Sequence, residues 1–185
     1  MKKAILLILA VLFLFGMALE VGAANILDNP GFEDGVLSPW TGSDWSVINT
    51  ENHTGVWSAT VDGNHQLKQD ITPTFTGLIT EVSFWMKQTE AQIAAYTFFY
   101  DNGTSDEHLI NLNTGDWEFF DVTIELTAGL NLSAFDVYGY GSGDGTPDVT
   151  FFDDATIEVV PIPAAVWLLG SGLIGMFGLR RKFKK

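Results

Sequence analysis

Three kinds of side chain in this sequence could do chemistry, and each suits a ligand better than a reaction. Flat rings come first. Sugar recognition stacks aromatic faces on the apolar faces of pyranoses and sets amides and carboxylates beside them to bond hydroxyls. Trp85 and Tyr138 alternate onto the polar side of their segments, Tyr140 follows two residues on, and Gln66, Gln69, Asn111 and Asn113 offer polar partners. Carboxylates come second. Between Asn25 and Val160 there are 22 Asp and Glu against two Lys, Lys68 and Lys87, and no Arg, a formal charge of −20 that the whole-chain value of −14 conceals. Such a field repels phosphate backbones and anionic lipid, so nucleic acid is excluded as a partner. It attracts divalent cations, and bound calcium would relieve the self-repulsion, although solubility alone also explains many surface carboxylates. Histidines come third: His53, His65 and His108 fall in separate turns and strand ends and read as ordinary surface residues.

Reaction machinery is thin. The sequence contains no Gly-x-Ser-x-Gly elbow, no His-Glu-x-x-His and no phosphate-binding glycine loop, and any two glycosidase carboxylates chosen from 22 would be arbitrary. With no cysteine there is no thiol nucleophile, thiolate metal site or disulfide, so stability must come from packing or from a metal. The expectation is a protein that is not an enzyme and has no catalytic residue.

The elements that must position these groups are strands. Val82, Phe84 and Met86 alternate with Ser83, Trp85 and Lys87; Phe120, Val122, Ile124 and Leu126 alternate with Asp121, Thr123 and Glu125; Phe135 to Tyr138 keeps the same period of two. Further strands are expected at Ser46 to Ile48, Ser58 to Val61, Gln66 to Ile71, Ile93 to Tyr100, Glu107 to Leu112 and Thr150 to Val159. They are separated by turns such as Asp62-Gly63-Asn64, Asp101-Asn102-Gly103 and Thr114-Gly115-Asp116. Gly139 to Pro147 reads as a Gly-rich loop. Eight or nine short antiparallel strands without a helical period predict an all-β sandwich, most simply a jelly roll, over residues 25–159.

Both ends of that domain carry recognisable pieces. Asn25-Ile26-Leu27-Asp28-Asn29-Pro30-Gly31-Phe32-Glu33, with Phe151-Phe152-Asp153-Asp154, resembles the two ends of calcium-stabilised jelly-roll carbohydrate-binding modules and galactose-binding-like domains. The resemblance implies a structural calcium held by Glu33 and one of Asp153 or Asp154, with main-chain oxygens near Asn29 and Gly31 completing the shell. Calcium takes six to eight hard oxygens, which a clamp across both termini can supply. The plainer reading makes Glu33 a solvated loop carboxylate and Asp153-Asp154 a strand end.

Residues 1–24 read as a secretory signal peptide: Lys2 and Lys3, an apolar run from Ala4 to Leu19, and a small-residue cleavage site ending at Ala24. Residues 160–185 hold Val160-Pro161-Ile162-Pro163, an apolar run at 164–179 and a basic tail at 180–185. Sixteen helical residues cover roughly 24 Å, short of a hydrocarbon core of about 30 Å, and the basic end favours the cytoplasm. A single-span anchor is one reading. The stretch also closely resembles the PEP-CTERM sorting signal in its Val-Pro-x-Pro form. That resemblance implies recognition of Val160, Pro161 and Pro163 by an exosortase-like membrane protease, after signal peptidase and the secretion translocon have acted. It implies delivery to the surface or exopolysaccharide matrix of a Gram-negative bacterium. The expected protein is therefore secreted, transiently anchored in the inner membrane, and carbohydrate-binding. The alternatives are an acidic calcium-bridged matrix protein without sugar selectivity, and an enzyme of polysaccharide remodelling.

Overall fold

The computed structural model describes residues 22–72, 78–90, 92–113, 115–140 and 148–160. Ala23–Val159 forms one compact unit. Its strands are β1 (Ala24–Asn25), β2 (Ser46–Ile48), β3 (Ser58–Asp62), β4 (His65–Asp70), β5 (Leu78–Gln88), β6 (Gln92–Tyr100), β7 (Ser105–Leu112), β8 (Glu118–Asp121), β9 (Leu132–Gly139) and β10 (Val149–Val160). They make two antiparallel sheets. One has six strands in the order β2-β3-β10-β5-β8, with β1 added along β10; the other has four in the order β4-β9-β6-β7. This is the expected all-β sandwich. Among the described residues no helix is long and apolar enough to cross a membrane. Residues 1–21 and 161–185, with most of the expected signal peptide, Pro161, Pro163 and the apolar run, lie outside the described residues; Val160 ends β10.

The core follows from alternation. Phe84, Phe98, Phe135 and Phe152 point inward from β5, β6, β9 and β10, and each is fully buried with Phe32 from the loop after β1. Phe84 meets Phe120, Phe135 and Phe152 with ring centroids 5.5 to 5.9 Å apart, which joins the two sheets across their midline. Each buried Phe contributes about 1.5–3 kcal/mol from area alone. At Gly139 the sheets approach too closely for a side chain, since a Cβ there would lie 2.8 Å from Thr150 Oγ1. Gly139 therefore closes β9 as a packing residue and does not open the expected loop; residues 141–147 lie outside the described residues.

One expected strand stops early. The alternation from Phe120 to Leu126 ends at Asp121, where the carboxylate accepts from both the amide and the hydroxyl of Thr123 and turns the chain into a short 3-10 turn, Thr123–Glu125. Ile124 is 89 % exposed as a result. The side-chain oxygens of Asp121 and Thr123 supply local bonds that compete with a sheet ladder.

Candidate functional site

The ends of the domain meet around two carboxylates. Asn25 bridges β1 to β10, its amide donating to Ala155 O and its Oδ1 accepting from Ile157 N, and Ala155 N donates to Pro30 O. Inward alternation along β10 slips by one residue at Asp153-Asp154, where Asp154 takes φ 47°, a left-handed conformation that Asp tolerates better than most residues. Asp153 is fully buried. Its Oδ2 accepts from His53 N and Thr54 N, and its Oδ1 from Asp154 N. Burial pushes its carboxyl up to about 6, helped by the Asp154 charge and opposed by those backbone donors. Asp154 bonds His53 Nδ1 at 2.7 Å and Thr54 Oγ1 at 2.8 Å. Glu33 reaches the same loop from the other side and accepts from Val56 N and Trp57 N.

Gly31 faces this cluster with no side chain. A Cβ there would lie 3.3 Å from Asp154 Oδ1, 3.5 Å from Asp153 Oδ1 and 3.9 Å from Glu33 Cγ, so the bare backbone leaves a cradle beside two carboxylates. Asp153 Oδ1 and Asp154 Oδ1 border that point as hard oxygens of the kind a divalent cation takes, whereas the Glu33 oxygens are turned to the Val56 and Trp57 amides. Among the described residues no group of three or more His, Asp or Glu side chains is placed to hold a metal ion. Asn29, also expected as a ligand, is engaged within its own loop. Its carbonyl already accepts from Phe32 N and Trp40 Nε1, and its amide donates to Val36 O and Ser38 O, so it shapes the loop.

The outer face of the six-stranded sheet continues from this loop. His53 stacks on Trp85 with centroids 3.7 Å apart and planes 16° apart, and Trp117 stands edge-on to the same imidazole. Glu51 Oε1 accepts from Trp117 Nε1 at 3.2 Å and pairs with Lys87 Nζ at 3.0 Å. Phe119 lies beside Trp85 across β5 and β8. Trp85 thus packs under a protein ring.

The outer face of the four-stranded sheet is arranged differently. Cross-strand register makes the rows Gln66–Tyr138–Ala95–Leu109 and Lys68–Asp136–Thr97–Glu107, and pairs Ile93 with Asn111 in the next row. Tyr138 and Tyr140 bring their rings to 4.6 Å at an angle of 50°. Beside them Asp136 is 1 % exposed, bonded by the Gln66 amide and the Thr97 hydroxyl. Burial raises its carboxyl above the ordinary range, with Glu107 adding to the rise and Lys68 opposing it. Leu109 and Ile93 remain 63 % and 46 % exposed.

Of the residues expected to meet sugar, Tyr138 and Tyr140 come together, with Gln66 beside them and Asn111 on the same face. Trp85 lies on the opposite sheet. Gln69 is corrected: it points into the sandwich, 3 % exposed, its amide bonded both ways to the Asp28 backbone, so it cannot touch a surface ligand. Asn113 caps the turn after β7 by bonding Glu118. The expectation did not include Asp136, although its position two residues before Tyr138 on one strand placed both on one face.

No protein-family model and no curated protein matches the sequence. Solved structures do. A family 61 carbohydrate-binding module in complex with β-1,4-galactotriose superposes with a TM-score of 0.55 and 22 % identity, covering 72 % of this chain and 97 % of that one. A family 16 carbohydrate-binding module gives 0.52 and 14 %, covering 71 % and 98 %. The enzymatically active domain of bacteriophage CBA120 tailspike protein 4 gives 0.54 and 16 %, covering 74 % of this chain and 21 % of that one. At such identities the likeness is one of fold. With its two antiparallel sheets, the domain resembles those modules as a jelly-roll β-sandwich.

Proposed function

We propose that this chain is a non-catalytic carbohydrate-binding protein, and that the glycan lies on the outer face of the four-stranded sheet. The observation that carries the reading is the Tyr138–Tyr140 pair, set beside a buried, hydrogen-bonded carboxylate and an amide on a face that leaves Leu109 and Ile93 in water. Stacking surface with fixed polar groups next to it is what a pyranose requires. The fold shared with a module crystallised on a galactotriose supports the reading. Affinity-gel retardation of the full chain by a panel of neutral and acidic polysaccharides tests it. The wild type should be slowed by at least one polymer, Tyr138→Ala should not be, and Trp85→Ala should behave as wild type. Migration unaffected by every polymer would sink the proposal.

Calcium belongs to the same reading, held by Asp153, Asp154 and the Gly31 backbone, with Glu33 turned in from the Val56 and Trp57 amides, where it would neutralise a buried carboxylate and tie the two ends together. Adding calcium should raise the melting temperature over that in chelator; an unchanged midpoint removes the metal. Export and exosortase-type sorting to the cell surface or exopolysaccharide matrix rest on the terminal segments, Lys2-Lys3 with its apolar run and Val160-Pro161-Ile162-Pro163 with the basic end. Replacing Pro161 and Pro163 by Ala should leave the tail uncut in cells that contain an exosortase, and normal processing of that variant would discard this part.

A further inference from the structure

The outer face of the four-stranded sheet extends well beyond its tyrosine pair. At the far end lies a depression of about 380 Å³ bounded by Lys68, Asp70, Phe99, Gly103, Thr104 and Ala134. Both ends lie on one line. Ala134, Asp136 and Tyr138 alternate onto this face of β9, Tyr140 follows just past its last residue, and six residues of extended chain put about 20 Å between Ala134 and Tyr140. That length suits several pyranose rings laid end to end.

The relief across the strands is equally ordered. The central strands β9 and β6 carry Ala134, Thr97 and Ala95, which are 2 %, 8 % and 1 % exposed, while Gln66 and Lys68 rise from β4 and Glu107 and Leu109 from β7. Between Phe99 of β6 at one end and Tyr138 of β9 at the other, these small residues of the middle strands, flanked by the long ones of β4 and β7, make a trough that runs with the strands. The tyrosine rings, tilted at 50°, form a wedge at one end of it. A wedge grips one sugar, so firm binding must draw on the rest of the trough.

Charge then narrows the ligand. Among the described residues Lys68 is the cation of this face, and it is already engaged: its Nζ lies 2.9 Å from Asp70 Oδ1 and 4.8 Å from the centre of the Phe99 ring. Asp136 and Glu107 flank Thr97 in the middle of the trough. A uronate laid there would lie beside the exposed Glu107 and over the buried Asp136 with no free counter-charge, at the cost of desolvating its own carboxylate.

We propose that the trough binds an internal stretch of an uncharged polysaccharide laid along β9, reaching from the Lys68–Phe99 depression to the Tyr138–Tyr140 wedge. This rests on the reading of the same face as a glycan site and adds chain length, direction and charge class to it. Calorimetric titration of the full chain with neutral β-1,4-linked gluco-, galacto- and manno-oligosaccharides, from disaccharide to hexasaccharide, and with polygalacturonate, tests it. In at least one neutral series affinity should rise about tenfold or more between disaccharide and hexasaccharide, equivalent to about 1.4 kcal/mol. Polygalacturonate should not bind. Lys68→Ala, which removes one wall of the depression, and Thr104→Trp, which fills it from an exposed turn, should each lower hexasaccharide affinity and leave the disaccharide unchanged. Tyr138→Ala should lower both. An affinity already level at the disaccharide, binding of polygalacturonate, or loss at every length in the two depression variants overturns the trough while leaving a glycan site in place. If no neutral or acidic glycan is bound, the reading of the face as a glycan site falls with it.

Discussion

The outer faces of the two sheets hold the same ingredients, aromatic rings beside carboxylates and a lysine, in two different states. On the six-stranded sheet the ingredients are spent on one another. His53 covers Trp85, Glu51 joins Lys87 to Trp117, and Asp153 and Asp154 hold the backbone and side chains of residues 53 and 54. On the four-stranded sheet the rings meet each other, while Leu109, Ile93, Glu107 and Asn111 face water. Interactions that cross from a loop to a sheet fix the fold, because breaking them frees the loop. An exposed apolar strip with polar ends along it adds little to the fold and marks a place for a partner. Aromatic content by itself therefore does not locate a binding site; what the rings are stacked on does.

The sharpest way to break this contrast is Asp153→Ala. It removes the fully buried acceptor of three backbone donors, the half-buried His53 N and Asp154 N and the Thr54 N of an exposed residue. Buried donors left unpaired cost about 1–3 kcal/mol each, and with two half-buried donors orphaned the loss should be at least about 2 kcal/mol in urea unfolding. The opposite face should still bind its glycan under conditions where the variant stays folded. A loss below about 1 kcal/mol would mean that the loop is held by other means.

Glu51→Ala should act in the same direction with less force. It removes the acceptor of Trp117 Nε1 and the partner of Lys87, whose side chain is only 16 % exposed, for a cost of about 1–3 kcal/mol. Tyr138→Ala is the mirror experiment, because Tyr138 is half-buried and outside the core, so glycan retardation should vanish while the unfolding midpoint barely moves. If Glu51→Ala abolished retardation, or Tyr138→Ala unfolded the domain, the assignment of stabilising and binding roles to the two faces would be reversed.

How much of this was legible beforehand divides along the same line. Alternation is a local signal, so Val82 to Lys87 and Phe135 to Tyr138 revealed their strands and faces directly, and Tyr138 with Tyr140 followed. Gln69 misled because one residue of register separates a surface amide from a buried one, and the bonds that hold it inside come from Asp28, 41 positions away. The Phe120–Leu126 pattern misled for a different reason, since the Asp121–Thr123 bonds end the ladder and periodicity does not register them. The clamp of His53 on Trp85 and Asp154 joins β2–β3, β5 and β10, and no spacing in a single sequence encodes such a meeting.

The smallest effect separates the two sheets through their protons. Burial raises Asp136 on β9, so the folded chain holds this proton more firmly than the unfolded one. The stability that this proton brings is complete below the ordinary carboxylate value and is lost as pH rises through the raised one. Asp136→Asn has no such proton to lose, so its stability relative to wild type should climb from about pH 4 upward and then level. Asp121 on β8 is the opposite case: bonds from the Thr123 hydroxyl and amide lower it, so its contribution is present above the ordinary value and disappears on acidification through the lowered one. Relative to wild type, Asp121→Asn should therefore lose ground as pH rises through the acid range, where Asp136→Asn gains it. Thermal melts of both variants from pH 3 to 7 read the two slopes, and slopes of the same sign would show that the carboxylate on the trough floor is as well solvated as the one on the exposed edge strand.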